Sequence, residues 1–283
     1  MLNVPADLDD GVYHLYALRY ATLSNRLAQD NFLPSPAGMA HSGVMPISYY
    51  VWIIHGQKRT VIVDTGFSPE TAAKHGRNLD YDPIDALGRL GVDCDQLEDV
   101  ILTHLHVDHA SNLHRFAKAR FHIQEAEVQF AAGPCMCEPM LRAVYDVEDV
   151  VTLIRRLYEG RVSFQRGDGE IFPGISVVTL PGHTLGIQAV RVITPRGPVV
   201  LASDVTHFYA NLLLGQPFKV TVDVAASLAS YWKLRHLAGD VRNIVPGHDP
   251  KVYDVYPKRR VSGIELAVLH ERPEIGLEDE LIR

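Results

Sequence analysis

The chain has 283 residues, 47% hydrophobic and 22% charged, an ordinary balance for a globular protein with a sizeable core. Its net charge of −7, from 27 basic and 34 acidic residues, argues against a nucleic-acid partner, and no basic run offers a surface for a phosphate backbone. The longest apolar runs, such as Tyr49 to Ile54, fall far short of a membrane span. The acidic start Met1-Leu2-Asn3-Val4-Pro5-Ala6-Asp7 does not read as a signal peptide. Together with three cysteines, Cys94, Cys135 and Cys137, this leads us to expect reduced thiols and a cytoplasmic setting.

Val12 to Thr22 is aromatic and apolar and reads as an opening strand. Ser24 to Pro46 breaks the pattern: Pro34, Pro36, Gly38, Gly43 and Pro46 alternate with Phe32, Leu33, Met39 and Met45, too apolar for a free linker. Ile47 to Ile54 and Thr60 to Asp64 predict a hairpin around His55-Gly56-Gln57-Lys58. Pro83 to Leu90 has helical periodicity, with Pro in the first turn and Gly91 beyond its end. Val100-Ile101-Leu102-Thr103 is a short buried strand. Ile123 to Tyr158 reads as mostly helical, interrupted near Gly133-Pro134, and Cys135-Met136-Cys137 reads as irregular loop. Strands follow at Val177 to Leu180, Val199 to Ser203 and Val241 to Val245, with a helix from Ser227 to Ala238 stopped by Gly239. Lys258 to Arg283 is charged and weakly patterned, and is expected as a surface tail. A single domain over 1–283, its core from about 12 to 257, is the economical organisation.

The chemistry concentrates where strands stop. His104-Leu105-His106-Val107-Asp108-His109 packs four metal-binding side chains into six residues directly after the Val100 strand. His104 and His106 alternate with apolar neighbours, which aims both imidazoles the same way, and Asp108 and His109 follow at the turn. Three later strands end alike: one in Pro181-Gly182-His183-Thr184, one in Ser203-Asp204, one in Pro246-Gly247-His248. A single zinc takes three or four ligands. This many ligand-type residues at strand ends point to two metals.

With Thr103-His104-Leu105-His106-Val107-Asp108-His109, then His183, Asp204 and His248, and with Ile62-Val63-Asp64-Thr65-Gly66 and Leu180-Pro181-Gly182-His183-Thr184, the chain resembles the metallo-β-lactamase superfamily. Within it, the resemblance is to the N-acyl-homoserine lactonase group, over roughly residues 12 to 250. It implies an α/β (αββα) sandwich, two face-to-face mixed sheets flanked by helices with the metals at one edge. It implies one metal on His104, His106 and His183, a second on Asp108, His109 and His248, and Asp204 bridging them. His106, where a redox di-iron member carries Glu, favours hydrolysis. The implied activity is opening of a lactone or similar cyclic ester by a hydroxide held between two zinc ions, with manganese, iron or cobalt as other divalent occupants. Asp64 is implied to orient the metal histidines, with Thr103 and Thr184 in support.

In homoserine lactonases a Tyr stands three residues after the bridging Asp; here that residue is His207. His207 is suited to proton transfer near neutrality. Tyr209 reaches the site if the loop bends, and Asp108 is the third catalytic candidate. His41 is a weaker pocket candidate. The Ser24 to Pro46 segment is expected to help cover the pocket, and a homodimer is compatible with it. True β-lactamases lack a bridging Asp, and glyoxalase II-type thioesterases carry a basic C-terminal segment that Lys258-Arg259-Arg260 only faintly echoes. The alternative is hydrolysis of another small carbonyl substrate, a thioester or cyclic amide.

Overall fold

Strands buried on both faces read as unbroken apolar runs, and the N-terminal third of the chain shows why. The computed structural model describes residues 2–6, 8–35 and 42–274. β1 (His14–Leu23) pairs antiparallel with β2 (Ile47–His55), and β2 with β3 (Thr60–Val63); β4 (Asp99–Ile101), β5 (Arg120–Gln124) and β6 (Val162–Gln165) then add in parallel. A second sheet follows from β7 (Gly169–Phe172), β8 (Ile175–Thr179), β9 (Gln188–Thr194), β10 (Gly197–Ser203) and β11 (Ile244–Pro246). The chain returns to the first sheet with β12 (Lys258–Val261) and β13 (Ile264–Val268). The strand orders are β12-β13-β1-β2-β3-β4-β5-β6 and β11-β10-β9-β8-β7.

Alternation along each strand divides the core into layers. Leu15, Ala17, Tyr50, Trp52, Ile54, Val61, Val63 and Ile101 meet Ile175, Val177, Val190, Val192, Val199 and Leu201 between the sheets. Their neighbours Tyr16, Leu18, Tyr20, Val51, Ile53, Ile62 and Val100 face the other way. Helices cover that outer side: α1 (Pro69–Lys74), α2 (Pro83–Leu90), α3 (Val107–Ala110), α4 (Glu125–Ala131), α5 (Pro139–Arg142) and α6 (Val147–Tyr158). After β10 come α7 (Tyr209–Leu214), α8 (Val224–Ala238) and α9 (Lys251–Val255). Tyr231 and Leu234 of α8 pack on Val178, Val200 and Ala202 of the second sheet. Two mixed sheets between helical layers make the α/β sandwich.

Three sequence expectations change. The segment from Ile123 begins as strand, since Ile123 and Gln124 end β5 and pair with Phe164 and Gln165. Helix starts only at Glu125. Asn243 closes a 3-10 turn over Val241–Asn243, so the last ligand-bearing strand is only Ile244–Pro246. The largest change is at the C-terminus, where Lys258 onward is sheet and not surface tail. β13 pairs with β1 (Tyr16 with Val268), and Ile264, Leu266 and Ala267 are fully buried. The charges of Lys258, Arg259 and Arg260 hid this, because they belong to β12, the edge strand, where charge discourages further pairing. The described parts of the Ser24–Pro46 segment pack on the chain itself: Leu27 bridges to Val44, Phe32 is buried, and Leu33 N–H bonds the Pro217 carbonyl. Pro36, Gly38, Met39, His41 and residues 275–283 lie outside the described residues. Among those described, no helix is long and apolar enough to cross a membrane. The three cysteines are free, with Cys135 and Cys137 in a 3-10 turn.

Candidate metal centre

Four strand ends deliver the cluster to one edge of the sandwich. His104 and His106 follow β4, and Asp108 and His109 sit in α3. His183 follows β8, Asp204 follows β10 and His248 follows β11. The backbone there is forced into shape. Asp64 after β3 and Ser203 ending β10 have φ of 60° and 47°, a left-handed region that non-glycine residues adopt at a cost of about 1 to 3 kcal/mol. In both Pro-Gly-His turns the glycine is required by close approach. A Cβ on Gly182 would lie 2.2 Å from Ser227 Oγ, and one on Gly247 would lie 2.6 Å from Asp204 Oδ1.

All seven sequence-predicted ligand residues converge. Donor atoms of His104, His106, His183 and Asp204 lie within 4.8 Å of one another, as do those of Asp108, His109 and His248. Asp204 divides its carboxylate between the two groups. Oδ2 lies 3.2 Å from His183 Nε2 and 3.8 Å from His104 Nε2, whereas Oδ1 lies 3.2 Å from His109 Nε2 and 3.0 Å from His248 Nε2. Asp108 Oδ2 stands 3.5 Å from both His109 Nε2 and His248 Nε2.

The outer nitrogens of three ligand histidines are tied down. Nδ1 of His183 lies 2.7 Å from the Val220 carbonyl, Nδ1 of His248 2.8 Å from the Ser48 carbonyl, and Nδ1 of His109 2.7 Å from Asp64 Oδ2. Each partner only accepts, so Nδ1 carries a hydrogen and Nε2 is the atom left facing inward, where a metal can take the place of any proton it holds. Asp64 also takes the Thr103 N–H and hydroxyl, both at 2.7 Å. Nε2 of His104, Nε2 of His109 and Oδ1 of Asp204 are buried with no hydrogen-bond partner. Buried orphan acceptors facing one another are costly unless something cationic joins them. The donor set therefore fits a pair of divalent metals.

The charges agree. Burial, then the other imidazoles, press His104 and His106 well below the usual histidine range, so both stay neutral ligands. Burial would also lower His109, but Asp204, Asp108 and Asp64 outweigh it and hold its pKa high; His248 is raised the same way by Asp204 and Asp108. Burial works to neutralise Asp204, yet His207, His248 and His109 keep it ionised, and His109 and His248 do so for Asp108. The pocket is carboxylate-rich and asks for positive charge.

The catalytic candidates separate. His207 is buried in the cluster, its Nε2 3.0 Å from Asp204 Oδ2 and its ring stacked on Phe218 at 3.5 Å. With Asp204 and His248 it forms a third group of donors, and its Nδ1 is buried without a partner. Tyr209 is not brought to the site. It opens α7, and its hydroxyl donates to the Ile244 carbonyl at 3.1 Å, on the far side of the loop from the donor atoms.

Sequence reasoning missed Glu127. This fully buried carboxylate accepts from Leu105 N–H (3.0 Å), Thr184 Oγ1 (2.6 Å) and Tyr145 Oη (3.2 Å), tying together the loops that bear His106 and His183. The available signal was an acidic residue on the apolar stripe of α4, beside Val128 and Ala131. Also missed were Arg26, Tyr49, Arg77 and Phe218, which line the pocket over the cluster. Nothing in their local sequence marks them.

A fold of this kind, with a carboxylate between two groups of His and Asp side chains that could hold metal ions, is that of a metal-dependent hydrolase. The family model of the metallo-beta-lactamase superfamily matches residues 44–248, and the chain belongs to that superfamily. It is 27% identical over 223 residues to an N-acyl homoserine lactonase of Bacillus sp, covering 73% of this chain and 83% of that one. It is 27% identical over 235 residues to the N-acyl homoserine lactonase AttM of Rhizobium johnstonii, covering 76% and 86%. A solved quorum-quenching N-acyl homoserine lactone lactonase superposes with a TM-score of 0.69 at 23% identity, covering 86% of this chain and 95% of that one. The dizinc quorum-quenching lactonase AidC does so with a TM-score of 0.68 at 14% identity, covering 86% and 90%. These two structures share the fold.

Proposed function

We propose that this hydrolase opens a lactone or similar cyclic ester, of the N-acyl homoserine lactone type, with zinc in both metal positions. The carrying observation is the divided carboxylate of Asp204, one oxygen toward each ligand group. Two divalent ions bound there would supply Lewis acidity toward a carbonyl oxygen and an activated water at neutral pH. His104, His106 and His183 would hold one, Asp108, His109 and His248 the other, with Asp204 shared.

The chain's own residues supply orientation and proton handling. Ile47, Phe67, Val107 and Val220 give the pocket an apolar side that excludes water from the reacting ester. His207 holds a hydrogen on Nε2 against Asp204 and keeps the Nδ1 lone pair unpartnered. Burial lowers its pKa to about 3 against the pull of Asp204, so it is neutral at pH 7. We assign it a place beside the bound ester, where it assists the departing ring oxygen or the developing oxyanion.

A panel of lactones, thioesters and cyclic amides, assayed with zinc-loaded protein, tests this. Fastest turnover on a lactone is expected; turnover of thioesters with lactones untouched would move the reading to a thioesterase. His207→Ala should slow lactone opening by about 10²- to 10⁴-fold with metal content unchanged, whereas a change within about twofold would make His207 a bystander.

A further inference from the structure

Two arginines in the pocket wall have no part in this chemistry. Arg26 and Arg77 line the cavity over the cluster, each one aromatic ring away from a cluster imidazole. The Arg26 guanidinium carbon lies 5.1 Å from the centroid of Phe218, the ring that stacks on His207. Arg77 Nε donates to Tyr49 Oη at 3.1 Å, and the Tyr49 ring stands 5.3 Å from that of His248.

Neither arginine is paired with a carboxylate. Arg26 donates from Nε to Asn31 Oδ1 and from Nη2 to the Asp30 carbonyl, and Arg77 donates from Nη1 to the His75 carbonyl. Among the described residues, no Asp or Glu oxygen comes within 4.0 Å of either guanidinium. Arg26 Nη1 and Arg77 Nη2 have no hydrogen bond there. Arg115, equally half-buried, shows the contrast, clamped between Asp82 at 2.5 Å and Asp85 at 2.9 Å. The carboxylates that do line the pocket, Asp108 and Asp204, belong to the ligand set. Burial presses Arg26 below the usual guanidinium range and Arg77 adds to this, while Tyr49, Asp30 and Asp108 pull the other way.

We infer that Arg26 and Arg77 form a clamp for an oxyanion, so that the substrate carries a carboxylate or phosphate group apart from the bond that is cleaved. The inference rests on the hydrolase reading above and narrows it to an anionic lactone or ester, whereas an N-acyl homoserine lactone is itself neutral. A guanidinium fork matches the oxygen spacing of both anions and forms charge-assisted hydrogen bonds with them. A purely neutral acyl chain would leave two half-buried cations unpaired beside apolar surface.

The test uses zinc-loaded protein and matched pairs of substrates, identical except that one bears a carboxylate or phosphate where the other bears a methyl ester or amide. The pairs are built in a lactone, a thioester and an aryl-ester series. kcat/KM should favour the anionic member by about 10- to 100-fold, chiefly through KM, because a hydrogen bond to a charged group contributes roughly that factor. The preference should shrink with added salt and nearly vanish in an Arg26→Gln/Arg77→Gln double variant that keeps wild-type metal content. Arg77→Lys, which keeps charge without the fork, should retain part of it. The carboxylate and phosphate arms identify which anion is read. Calorimetry supplies a readout without turnover: in the series from succinate to suberate, one dicarboxylate should bind wild type at least about tenfold tighter than the matching monocarboxylate, and lose that margin in the double variant. Equal kcat/KM for charged and neutral members in whichever series turns over, or a preference that survives the double variant, overturns the clamp. If no lactone of either charge reacts but anionic thioesters do, the lactone reading fails while the clamp stands.

Discussion

In the half of the centre built from His104, His106 and His183 one imidazole, His183, is held by a carbonyl and the rest of the bracing runs through the loops, whereas in the half built from Asp108, His109 and His248 both imidazoles are held, one of them by a carboxylate. In the first half Glu127 binds the Leu105 N–H and the Thr184 hydroxyl, residues beside the ligands. In the second, Asp64 takes His109 Nδ1 directly and the Ser48 carbonyl takes that of His248. A carboxylate in contact with a ligand tunes its basicity and orientation, and one that reaches only neighbouring backbone sets where the loop lies. Metal ions bound in the two halves should therefore respond to different residues.

The largest effect belongs to the residue both halves share. Asp204→Ala should remove both metals and all hydrolysis together, since among the described residues no other carboxylate faces both groups. Retention of one tight equivalent would mean that one half stands without the bridge. Asp64→Asn comes next: with the anionic partner of His109 gone, affinity of the second half should fall about 10- to 100-fold, with a smaller loss in the first half, because Asp64 also holds Thr103 beside His104. Stepwise chelator titration separates the two, and equal losses would erase the contrast. Glu127→Gln should be milder and fall on the first half. The new amide nitrogen would face a donor, Thr184 or Tyr145, and losing that charged hydrogen bond costs about 1 to 3 kcal/mol. Weaker metal retention in the Asp108, His109 and His248 half would contradict the assignment of Glu127.

The smallest effect is on stability and is set by pH. Ser111, next after α3, donates to Asp149 Oδ2, so this carboxyl backs the second half. Burial raises Asp149 from 3.8 to about 7, against the Ser111 hydrogen bond. A pKa raised in the folded state means that the contribution of the neutral acid is full below pH 3.8 and is lost as pH climbs through 7. Asp149→Asn should therefore show its largest advantage over wild type at about pH 8, keep roughly a third of it at about pH 5, and lose it below pH 3.8, a gap on the order of a few kcal/mol at most. A constant gap across that range would mean that Asp149 is already ionised in the fold.

Legibility in the sequence followed the same divide between ligands and their surroundings. That His104, His106, Asp108, His109, His183, Asp204 and His248 come together was readable because they stand at or just after the ends of four apolar strands, and those ends meet at one edge of the sandwich. Asp64 was readable by resemblance. Glu127 escaped because its partners, Leu105 and Thr184, lie far off in sequence, and a helix start rich in acids is common for reasons of dipole alone. β13 escaped because Lys258, Arg259 and Arg260 masked an alternation that pairing with β1 makes plain. Tyr209 was misjudged because one position in a loop decides which way a side chain turns, and its backbone N–H and hydroxyl are both held by β11 and its following turn. Arg26 and Arg77 come from separate segments that only the fold brings to one wall.

The central claim is that Asp204 joins two metal positions, and metal stoichiometry tests it most directly. Elemental analysis of protein purified without chelator and dialysed against zinc should approach two equivalents per chain, falling toward none in Asp204→Ala. A single tight equivalent that added zinc does not raise would contradict a dinuclear centre.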